Sequence, residues 1–249
     1  MNIETGELDK ALHLDAVACV DGATLTATAD PAPPTRAPEP KRALPVRPTL
    51  YRRYGKRAFD LVAVLACLPV WVPVVALLAL IVMLDGGNPF YSQNRIGKDG
   101  RVFRMWKLRS MVRGADAMLA AHLATDPDAR AEWDDKQKLS KDPRITAFGG
   151  LIRRTSLDEL PQLFNVLTGD MSLVGPRPMM VDQRALYPGE AYFQLRPGIT
   201  GPWQVTARHR TGFASRARFD DQYNTALSFG TDLALLLATT RVVAQGGGA

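Results

Sequence analysis

A run of 24 residues without a single charged side chain, Leu61–Leu84, limits the folds open to this chain more than any other feature. As a helix, the run is long enough to cross the ~30 Å hydrocarbon core of a bilayer. Pro73 divides it into two arms of about 12 residues, each about 18 Å long at ~1.5 Å per residue, and neither arm crosses alone. Pro69 and Pro73 also remove two neighbouring helical hydrogen bonds, which favours a bend at this point.

Basic residues flank this run on both sides. Four precede it and six follow it up to residue 109, namely Arg52, Arg53, Lys56, Arg57, Arg95, Lys98, Arg101, Arg104, Lys107 and Arg109. Positively charged flanks stay on the cytoplasmic side, and each cation gains roughly 1 kcal/mol near anionic lipid. The pattern therefore predicts a re-entrant helical hairpin that enters and leaves the membrane on the cytoplasmic face. A single kinked span is the alternative, because prolines are tolerated inside membrane helices.

Composition divides the chain into three parts. Residues 1–50 hold seven acidic residues, five basic residues and seven prolines with few large apolar side chains, which predicts a disordered Pro-rich tail. Residues 51–88 contain the membrane hairpin with its basic flanks, and residues 89–249 have the composition of a soluble domain. We expect no secretory signal, because the tail is acidic and lacks an apolar run.

The soluble part is expected to be an α/β domain that is mostly helical with short strands. Its strands are predicted at 90–93, 102–107 and 171–174, and its helices at 110–125, 146–154, 157–167 and 231–243. The stretch 126–142 is highly charged, and a loop rich in Pro, Gly and Arg is expected to extend to residue 210. The last helix has enough apolar side chains to lie on a membrane surface.

Charge and composition exclude several classes of protein. The 31 basic residues exceed the 25 acidic ones, and the formal charge of +6 indicates an anionic partner such as nucleic acid, a nucleotide or phospholipid headgroups. The two cysteines lack C-x-x-C spacing and the three histidines are scattered, so a zinc ribbon, a disulfide framework and a Ser-His-Asp triad have little support. A hydrophobic content of 46% argues against a disordered or collagen-like chain.

The densest candidate site begins at Ser156, where Asp158 and Glu159 are adjacent. Ser156 followed three residues later by Glu159 fits a capping box, and in that structural interpretation Asp158 complements the helix dipole. Pro161 disfavours a regular helix start there, so the acidic pair is also consistent with a strained turn. Such a pair can divide metal binding and nucleophilic attack between its two carboxylates, near a helix end that attracts phosphate.

Several arginines are candidate anion ligands. Arg177 lies between two prolines, and a guanidinium on such a stiff backbone can bind phosphate or carboxylate through two hydrogen bonds. An ordinary turn with a solvated arginine is the alternative. Arg153 and Arg154 form either a phosphate clamp or the basic end of a helix. The segment Arg196–Gly201, followed by Trp203, is typical of a tight loop that offers backbone N–H groups and an aromatic surface.

Asp126 and Asp128 have the D-x-D spacing with which many sugar-nucleotide glycosyltransferases hold a divalent ion. Three residues are a weak signal. The proline between them and the surrounding charges favour an exposed turn.

Taken together, these segments resemble the bacterial sugar transferase family, the monotopic polyprenol-phosphate phosphoglycosyl transferases, and in particular its short exopolysaccharide-initiating members. The resemblance covers about residues 51–245. Its motifs are Lys56-Arg57-x-x-Asp60, Pro73, Gln93-x-Arg95-x-Gly97, Phe103-x-x-x-Lys107-x-Arg109, Arg153-x-x-Ser156-Leu-Asp158-Glu159, Asn165-Val-Leu-x-Gly169-Asp170, Gly175-Pro-Arg177-Pro178 and Arg196-Pro-Gly-Ile-Thr-Gly201. Two positions depart from the family pattern, since Pro202 precedes Trp203 and Val72 precedes Pro73.

The resemblance implies an undecaprenyl-phosphate hexose-1-phosphate transferase at the cytoplasmic face of the bacterial inner membrane. Such an enzyme takes a UDP-hexose, with galactose and glucose both open, and Mg²⁺ as cofactor. It transfers the hexose 1-phosphate to undecaprenyl phosphate and releases UMP, which is the first membrane step of exopolysaccharide assembly. Besides these substrates it implies inner-membrane lipid as a partner and no nucleic acid, and it leaves a homodimer open.

The family's site residues are carried over position by position. The resemblance implies that Asp158 is the nucleophile, which forms an aspartyl phosphosugar, and that Glu159 is the Mg²⁺ ligand. It implies phosphate contacts at Arg153, Arg177, Lys107, Arg109 and Arg196. It implies that Arg57 and Asp60 lie near the membrane surface and that Pro69 and Pro73 lie within the membrane hairpin.

Two alternatives from other classes stay open on the sequence. A membrane-anchored basic adaptor that binds nucleic acid or lipid without catalysis does not need Asp158, and its binding falls steeply with salt. A conventional glycosyltransferase that acts through Asp126 and Asp128 releases UDP instead of UMP.

Overall fold

The computed structural model describes residues 48–136, 139–206 and 212–244, so most of the predicted tail lies outside the described residues. A π-helical turn, Tyr51–Gly55, comes first. The helices are α1 (Lys56–Leu84), α2 (Ala115–Thr125), α3 (Pro127–Lys136), α4 (Ala147–Arg154), α5 (Gln162–Thr168), α6 (Ala191–Gln194), α7 (Pro202–Thr206), α8 (Arg216–Ala226) and α9 (Phe229–Ala244). The strands are β1 (Phe90–Ile96), β2 (Val102–Leu108), β3 (Ser172–Val174) and β4 (Gly198–Thr200). The expectation of a mostly helical fold with short strands is confirmed.

Helix α1 is one continuous helix of 29 residues that contains both Pro69 and Pro73. By length and composition it is able to cross a membrane. The sequence predicts two arms separated by a turn, and the structure has no such turn within this helix; the re-entrant path stays a prediction. The indole of Trp71 donates a hydrogen bond to the carbonyl of Val64 (3.2 Å), so a side chain supplements the backbone bonding next to the first proline.

One face of α1 packs against the soluble domain along most of its length. Its side chains Val64, Trp71 and Val75 belong to a buried cluster with Phe103, Met105, Val166 and Met171. Its second half contributes Leu78, Ala79 and Val82 to a cluster with Leu108 and Ile152. The opposite face exposes Val62, Leu65, Leu68, Val70, Val72, Leu77, Leu80, Met83 and Leu84. Helix α1 therefore has one side in the domain core and one apolar side without a protein partner among the described residues.

Side chains also join both ends of α1 to this domain. Arg57, in its first turn, donates to the carbonyl of Leu167 (2.9 Å) at the end of α5. Arg109, just after β2, donates to the carbonyl of Val82 (3.0 Å) in the last turn of α1. Both ends of α1 therefore contact the same domain.

The strands form two separate pairs. Strands β1 and β2 are an antiparallel hairpin with Phe90 opposite Leu108, and their turn includes Asp99 with a positive φ of 58°. Strands β3 and β4 are parallel, with Ser172 opposite Gly198. The strands expected at 90–93, 102–107 and 171–174 are thus confirmed: the first two are longer than predicted and the third begins one residue later. The three-residue β4 was not predicted.

Two of the four predicted helices are confirmed, one is wrong and one begins later than expected. Those at 146–154 and 231–243 are confirmed as α4 and α9. The single helix expected at 157–167 is wrong, because Pro161 has no N–H to donate to the carbonyl of Leu157; a 3₁₀ turn and then α5 stand in its place. Helix α2 begins later than residue 110, since Gly114 adopts a left-handed φ of 70° directly before it.

Other departures concern polar segments. The charged stretch 126–142 contains α3, and the loop expected up to residue 210 contains α6, β4 and α7. Helix α8 was not predicted either. It buries Asp220 and Asn224 beside its apolar side chains, so the spacing of apolar residues along the sequence does not predict this helix.

A buried cluster of charged and hydroxyl groups joins the start of α1 to α9. Asp232 is fully buried, accepts hydrogen bonds from the hydroxyls of Tyr51 and Tyr223 (2.6 Å each), and lies 2.8 Å from the Lys56 ammonium. The same ammonium lies 3.4 Å from Asp60, which is 1% exposed and accepts two hydrogen bonds from β3. One buried cation is thus shared by two buried carboxylates. Removal of Asp232 would leave Lys56 with the more distant carboxylate of Asp60 and would take an acceptor from the hydroxyls of Tyr51 and Tyr223.

We predict that Asp232→Ala lowers the free energy of unfolding by about 3 kcal/mol, because Lys56 loses the nearer of its two carboxylates and the hydroxyls of Tyr51 and Tyr223 lose an acceptor. Asp134→Ala is the matched control, since its ion pair with Arg130 is more than half exposed. We expect it to cost less than about 1 kcal/mol. Urea unfolding of the detergent-solubilised protein measures both. Equal losses in the two variants would show that the buried cluster does not stabilise the fold.

Candidate active site

Asp158 and Glu159 lie in the 3₁₀ turn Leu157–Glu159 that precedes α5. Ser156, the residue before this turn, has a left-handed φ of 57° and makes no capping hydrogen bond with its side chain. The capping-box interpretation is therefore wrong, and the interpretation as a strained turn is confirmed. A non-glycine residue in this conformation costs of order 1–3 kcal/mol, and such residues cluster at functional sites.

Asp158 is 7% exposed, and its carboxylate lies 3.9 Å from the ammonium of Lys107 on β2. The same ammonium lies 2.7 Å from the carboxylate of Glu159. Burial raises the pKa of Asp158, and the charge of Glu159 raises it further, while Lys107 and Arg153 act in the opposite direction. The result is a poorly hydrated carboxylate next to a cation, which is a typical environment for a nucleophile.

A small cavity of about 40 Å³ adjoins Glu159 and is lined by three cations. These are Arg95 from β1, Lys107 from β2 and Arg177 from the Pro-flanked loop. The Nε of Arg95 is buried and has no hydrogen-bond partner within the part of the chain that the structure describes. Three cations against one carboxylate make this cavity a candidate site for a phosphate group.

A larger cavity of about 300 Å³ opens beside the first. Glu159, Arg177 and Gln204 line both cavities. Its walls are otherwise largely apolar and come from the acidic turn, α5, β4, α7 and α9, with Leu157, Leu160, Leu163, Ile199, Val205, Val242 and Val243 among the lining residues. The two cavities together suit a ligand with an anionic head and an apolar body.

Close packing of glycines holds the two loops that carry these groups. A Cβ on Gly198 would lie 2.1 Å from the backbone nitrogen of Gly175, and one on Gly201 would lie 2.0 Å from the Gly175 carbonyl oxygen. Only glycine allows this approach. The loop that carries Arg177 therefore rests directly on the loop that leads to Gln204, which explains the glycines in both motifs.

The structure brings some of the predicted phosphate ligands to the acidic pair and leaves others elsewhere. Lys107 and Arg177 line the small cavity, and Arg153 lies close enough to lower the pKa of Asp158. Arg109 binds the end of α1, and Arg196 donates to the carbonyl of Gly169 (2.8 Å). Neither Arg109 nor Arg196 lines either of these cavities. Their guanidinium groups bind backbone carbonyls.

The sequence did not single out Arg95, Gln162 or Gln204 as site residues, although all three line the small cavity. Arg95 is part of a family motif, which was its available signal. Gln204 directly follows Trp203, next to the candidate loop at Arg196–Gly201, whereas Gln162 has no signal of its own. Their position depends on α5 and α7, whose contacts the sequence does not define.

The D-x-D segment has a structural role. The carboxylate of Asp126 accepts a hydrogen bond from the backbone N–H of Ala129 (2.9 Å) at the start of α3, as an N-cap does. Asp128 is exposed in the first turn of α3, and neither residue lines the cavities beside Asp158. The segment is therefore the start of helix α3, where an exposed turn was expected, and its carboxylates do not join the candidate site.

The donor groups around the small cavity are compatible with Mg²⁺. Glu159 offers a carboxylate, Gln162 and Gln204 offer amide oxygens, and the Oε1 of Gln204 is buried without a hydrogen-bond partner in the described ranges. No three His, Cys, Asp or Glu side chains form a cluster among those residues. Mg²⁺ commonly binds through one or two carboxylates and completes its shell with water and substrate phosphate, so this donor set fits.

Comparison with known proteins adds family information. Residues 51–246 match the family model described as bacterial sugar transferase. The chain is 47% identical over 199 residues to a UDP-galactose-lipid carrier transferase of Erwinia amylovora and 45% identical to an undecaprenyl-phosphate galactose phosphotransferase of Salmonella typhimurium. Each match covers 79% of this chain and 42% of the relative, so the chain spans less than half of their length. The exopolysaccharide production protein ExoY of Rhizobium meliloti is 42% identical over 76% of this chain and 85% of its own.

We predict that Asp158→Asn raises the melting temperature at neutral pH. The pKa of Asp158 is higher in the folded than in the unfolded protein, so the stability present at acid pH is lost as the pH rises through the folded pKa. Asparagine carries no charge, so the variant keeps this stability at neutral pH. Its advantage in melting temperature over wild type should disappear below about pH 4, where the Asp158 carboxyl is protonated in both the folded and the unfolded protein. Thermal melts from pH 3 to pH 8 test this, with Asp134→Asn as an exposed control. A variant that is less stable at pH 7 would contradict it.

Proposed function

The chain belongs to the bacterial sugar transferase family, and on that premise we propose that it transfers a hexose 1-phosphate from a UDP-sugar to undecaprenyl phosphate and releases UMP. The names of its relatives support this substrate class, and two of them specify galactose. UDP-galactose is therefore the first donor to test. The similarity to an exopolysaccharide production protein supports a role in the first membrane step of exopolysaccharide assembly.

The observation that carries the proposal is the buried Asp158 carboxylate beside Lys107, next to a cavity with three cations. In the first step an oxygen of Asp158 forms a bond to the β-phosphorus of the donor. The bond from that phosphorus to the bridging oxygen breaks, and UMP leaves with the electron pair. In the second step an oxygen of undecaprenyl phosphate attacks the same phosphorus and releases the Asp158 carboxylate.

The cations around the small cavity provide the electrostatic part of this mechanism. A carboxylate that attacks a diphosphate meets strong repulsion, because both reactants are anions. Lys107, Arg95 and Arg177 offset this repulsion and stabilise the charge that develops on the phosphoryl and leaving oxygens. Glu159, with the amide oxygens of Gln162 and Gln204, would hold Mg²⁺, which when bound supplies further positive charge to the donor phosphates.

The apolar surfaces support a lipid acceptor at a membrane. We propose that α1 enters and leaves the lipid on the cytoplasmic face of the inner membrane, since Arg57 and Arg109 bind both of its ends to one domain. Its exposed apolar side would then contact lipid. The apolar walls of the large cavity suit the first part of a polyprenyl chain, whose phosphate would lie at the end lined by Glu159.

We predict that protein in nanodiscs retains label from a UDP-galactose labelled on its β-phosphate when no acceptor is present. The label should be absent in Asp158→Asn, because the amide cannot form the phosphoryl bond, and undecaprenyl phosphate should discharge it from wild type. Asp128→Asn is the control and should label normally. UDP as the product, or loss of label in Asp128→Asn alone, would favour the D-x-D glycosyltransferase.

Three other outcomes are informative in this experiment. Formation of UMP and labelled lipid without labelled protein would support the transferase activity and contradict the two-step mechanism. Label with another UDP-sugar and none with UDP-galactose would correct the donor. No transfer with any donor, together with salt-sensitive binding that survives Asp158→Asn, would support the non-catalytic adaptor.

We predict that Lys107→Met shifts the acidic limb of the pH–rate profile to higher pH. Lys107 lowers the pKa of Asp158, which must be ionised to attack, so the loss of this cation raises that pKa further. The rate of UMP release, measured from pH 4 to pH 9, tests this shift. In the control Lys107→Arg, which keeps the positive charge, the acidic limb should stay close to its wild-type pH. An unchanged acidic limb in Lys107→Met would show that Asp158 does not control it.

A further inference from the structure

A second group of positive charges lies next to the small cavity, around the ring of Trp203. The Arg216 guanidinium carbon is 4.3 Å from the centroid of this ring, and that of Arg177 is 5.7 Å from the same centroid. Arg216 also lies over Phe213 at 4.8 Å. Arg95 shares the small cavity with Arg177. Three arginines from β1, the Pro-flanked loop and α8 thus meet at one place.

Nearby carboxylates offset the charges of these arginines only in part, since burial and the other arginines still lower the pKa of Arg95 and of Arg216. In the described part of the chain none of Arg95, Arg177 and Arg216 lies within 4.0 Å of a carboxylate, and the Nε atoms of Arg95 and Arg216 are buried without a hydrogen-bond partner. The nearby Asp220 carboxylate already accepts a hydrogen bond from Tyr187 (2.6 Å). Burial and the two neighbouring arginines lower the pKa of Arg216 to about 10, so it stays charged at neutral pH. Buried, mutually repelling cations of this kind favour a bound anion.

The ring of Trp203, on which Arg177 and Arg216 lie, packs apart from α1 in the described part of the chain. Leu160, directly after Glu159, packs on both buried clusters that contain α1 side chains. Trp203 packs with Phe219 of α8 in a cluster that contains no α1 residue, and the neighbouring cluster around Tyr192 contains none either. Neither Arg95 nor Arg216 lines the large apolar cavity. The leaving half of a donor that binds these two arginines therefore stays outside the cavity proposed for the lipid.

We propose that Arg95, Arg177 and Arg216, held against Trp203, form the subsite for the phosphate of the departing nucleoside monophosphate. This inference rests on the proposed function, and it names Arg216 as a substrate-binding residue. When the bond to the transferred phosphorus breaks, the leaving phosphate becomes a dianion. Three guanidinium groups stabilise that charge through charge-assisted hydrogen bonds, and the two unpartnered Nε–H groups supply donors.

The test uses the full-length protein in nanodiscs with UMP as the probe. Arg216→Gln should weaken UMP binding at least tenfold in titration calorimetry and raise the KM for the UDP-sugar by a similar factor, with the KM for undecaprenyl phosphate within twofold of wild type. Arg218→Gln is the matched control, because Arg218 is exposed on the same helix two residues later, and it should bind UMP normally. Arg216→Lys keeps the charge and the packing against Trp203, so it should fold and weaken UMP binding to a smaller extent.

The possible results separate the subsite from the proposed function. UMP binding unchanged in both Arg216 variants of an active enzyme would overturn the subsite alone. A raised KM for undecaprenyl phosphate with UMP binding unchanged would also overturn it, because the arginines would then hold the lipid phosphate. If the wild-type protein neither binds nor releases UMP, the proposed function itself fails, and the subsite fails with it.

Discussion

The contact between Lys107 and the acidic turn is the interaction on which the arrangement of the site depends. Lys107 lies on β2, which packs on α1 through its apolar side, and its ammonium lies 2.7 Å from Glu159 and 3.9 Å from Asp158. The Lys107 side chain thus joins the strained turn to a strand whose apolar side packs on α1. Without this cation, two adjacent carboxylates would repel each other in a poorly hydrated place. The turn exists as a separate element because Pro161 cannot continue it into α5.

The attachment of α1 gives this site a defined position relative to its apolar surface. A helix with a free end would let the domain tilt, whereas Arg57 and Arg109 bind opposite ends of α1 to the domain core. The buried Lys56 ammonium, shared by Asp60 and Asp232, adds a connection from α1 to β3 and α9. Helix α9 in turn contributes walls to the larger cavity. An acceptor lipid held by α1 and α9 would therefore reach the acidic turn at a fixed depth.

The sequence predicted those parts of the molecule that depend on local chemistry. Local composition indicated the strands at 90–93 and 102–107, and the conflict between Ser156 and Pro161 indicated the strained turn. The family motifs identified Asp158, Glu159, Lys107 and Arg177, which the structure brings together. Contacts between distant segments were not predictable. Arg109 and Arg196 belong to the same motifs yet bind backbone carbonyls, and Arg216 lies on α8, whose buried Asp220 and Asn224 obscure any apolar period.

Identification of the residue that carries the phosphosugar tests the central claim most directly. Wild-type protein is mixed with UDP-galactose without acceptor, quenched, digested with trypsin and analysed by fragmentation mass spectrometry. The peptide that follows Arg154 contains Asp158, Glu159 and Asp170, so the fragments distinguish all three. We predict a hexose phosphate increment on Asp158 that disappears after addition of undecaprenyl phosphate. An increment on Glu159 or Asp170, or UMP release with an unmodified peptide, would contradict this account.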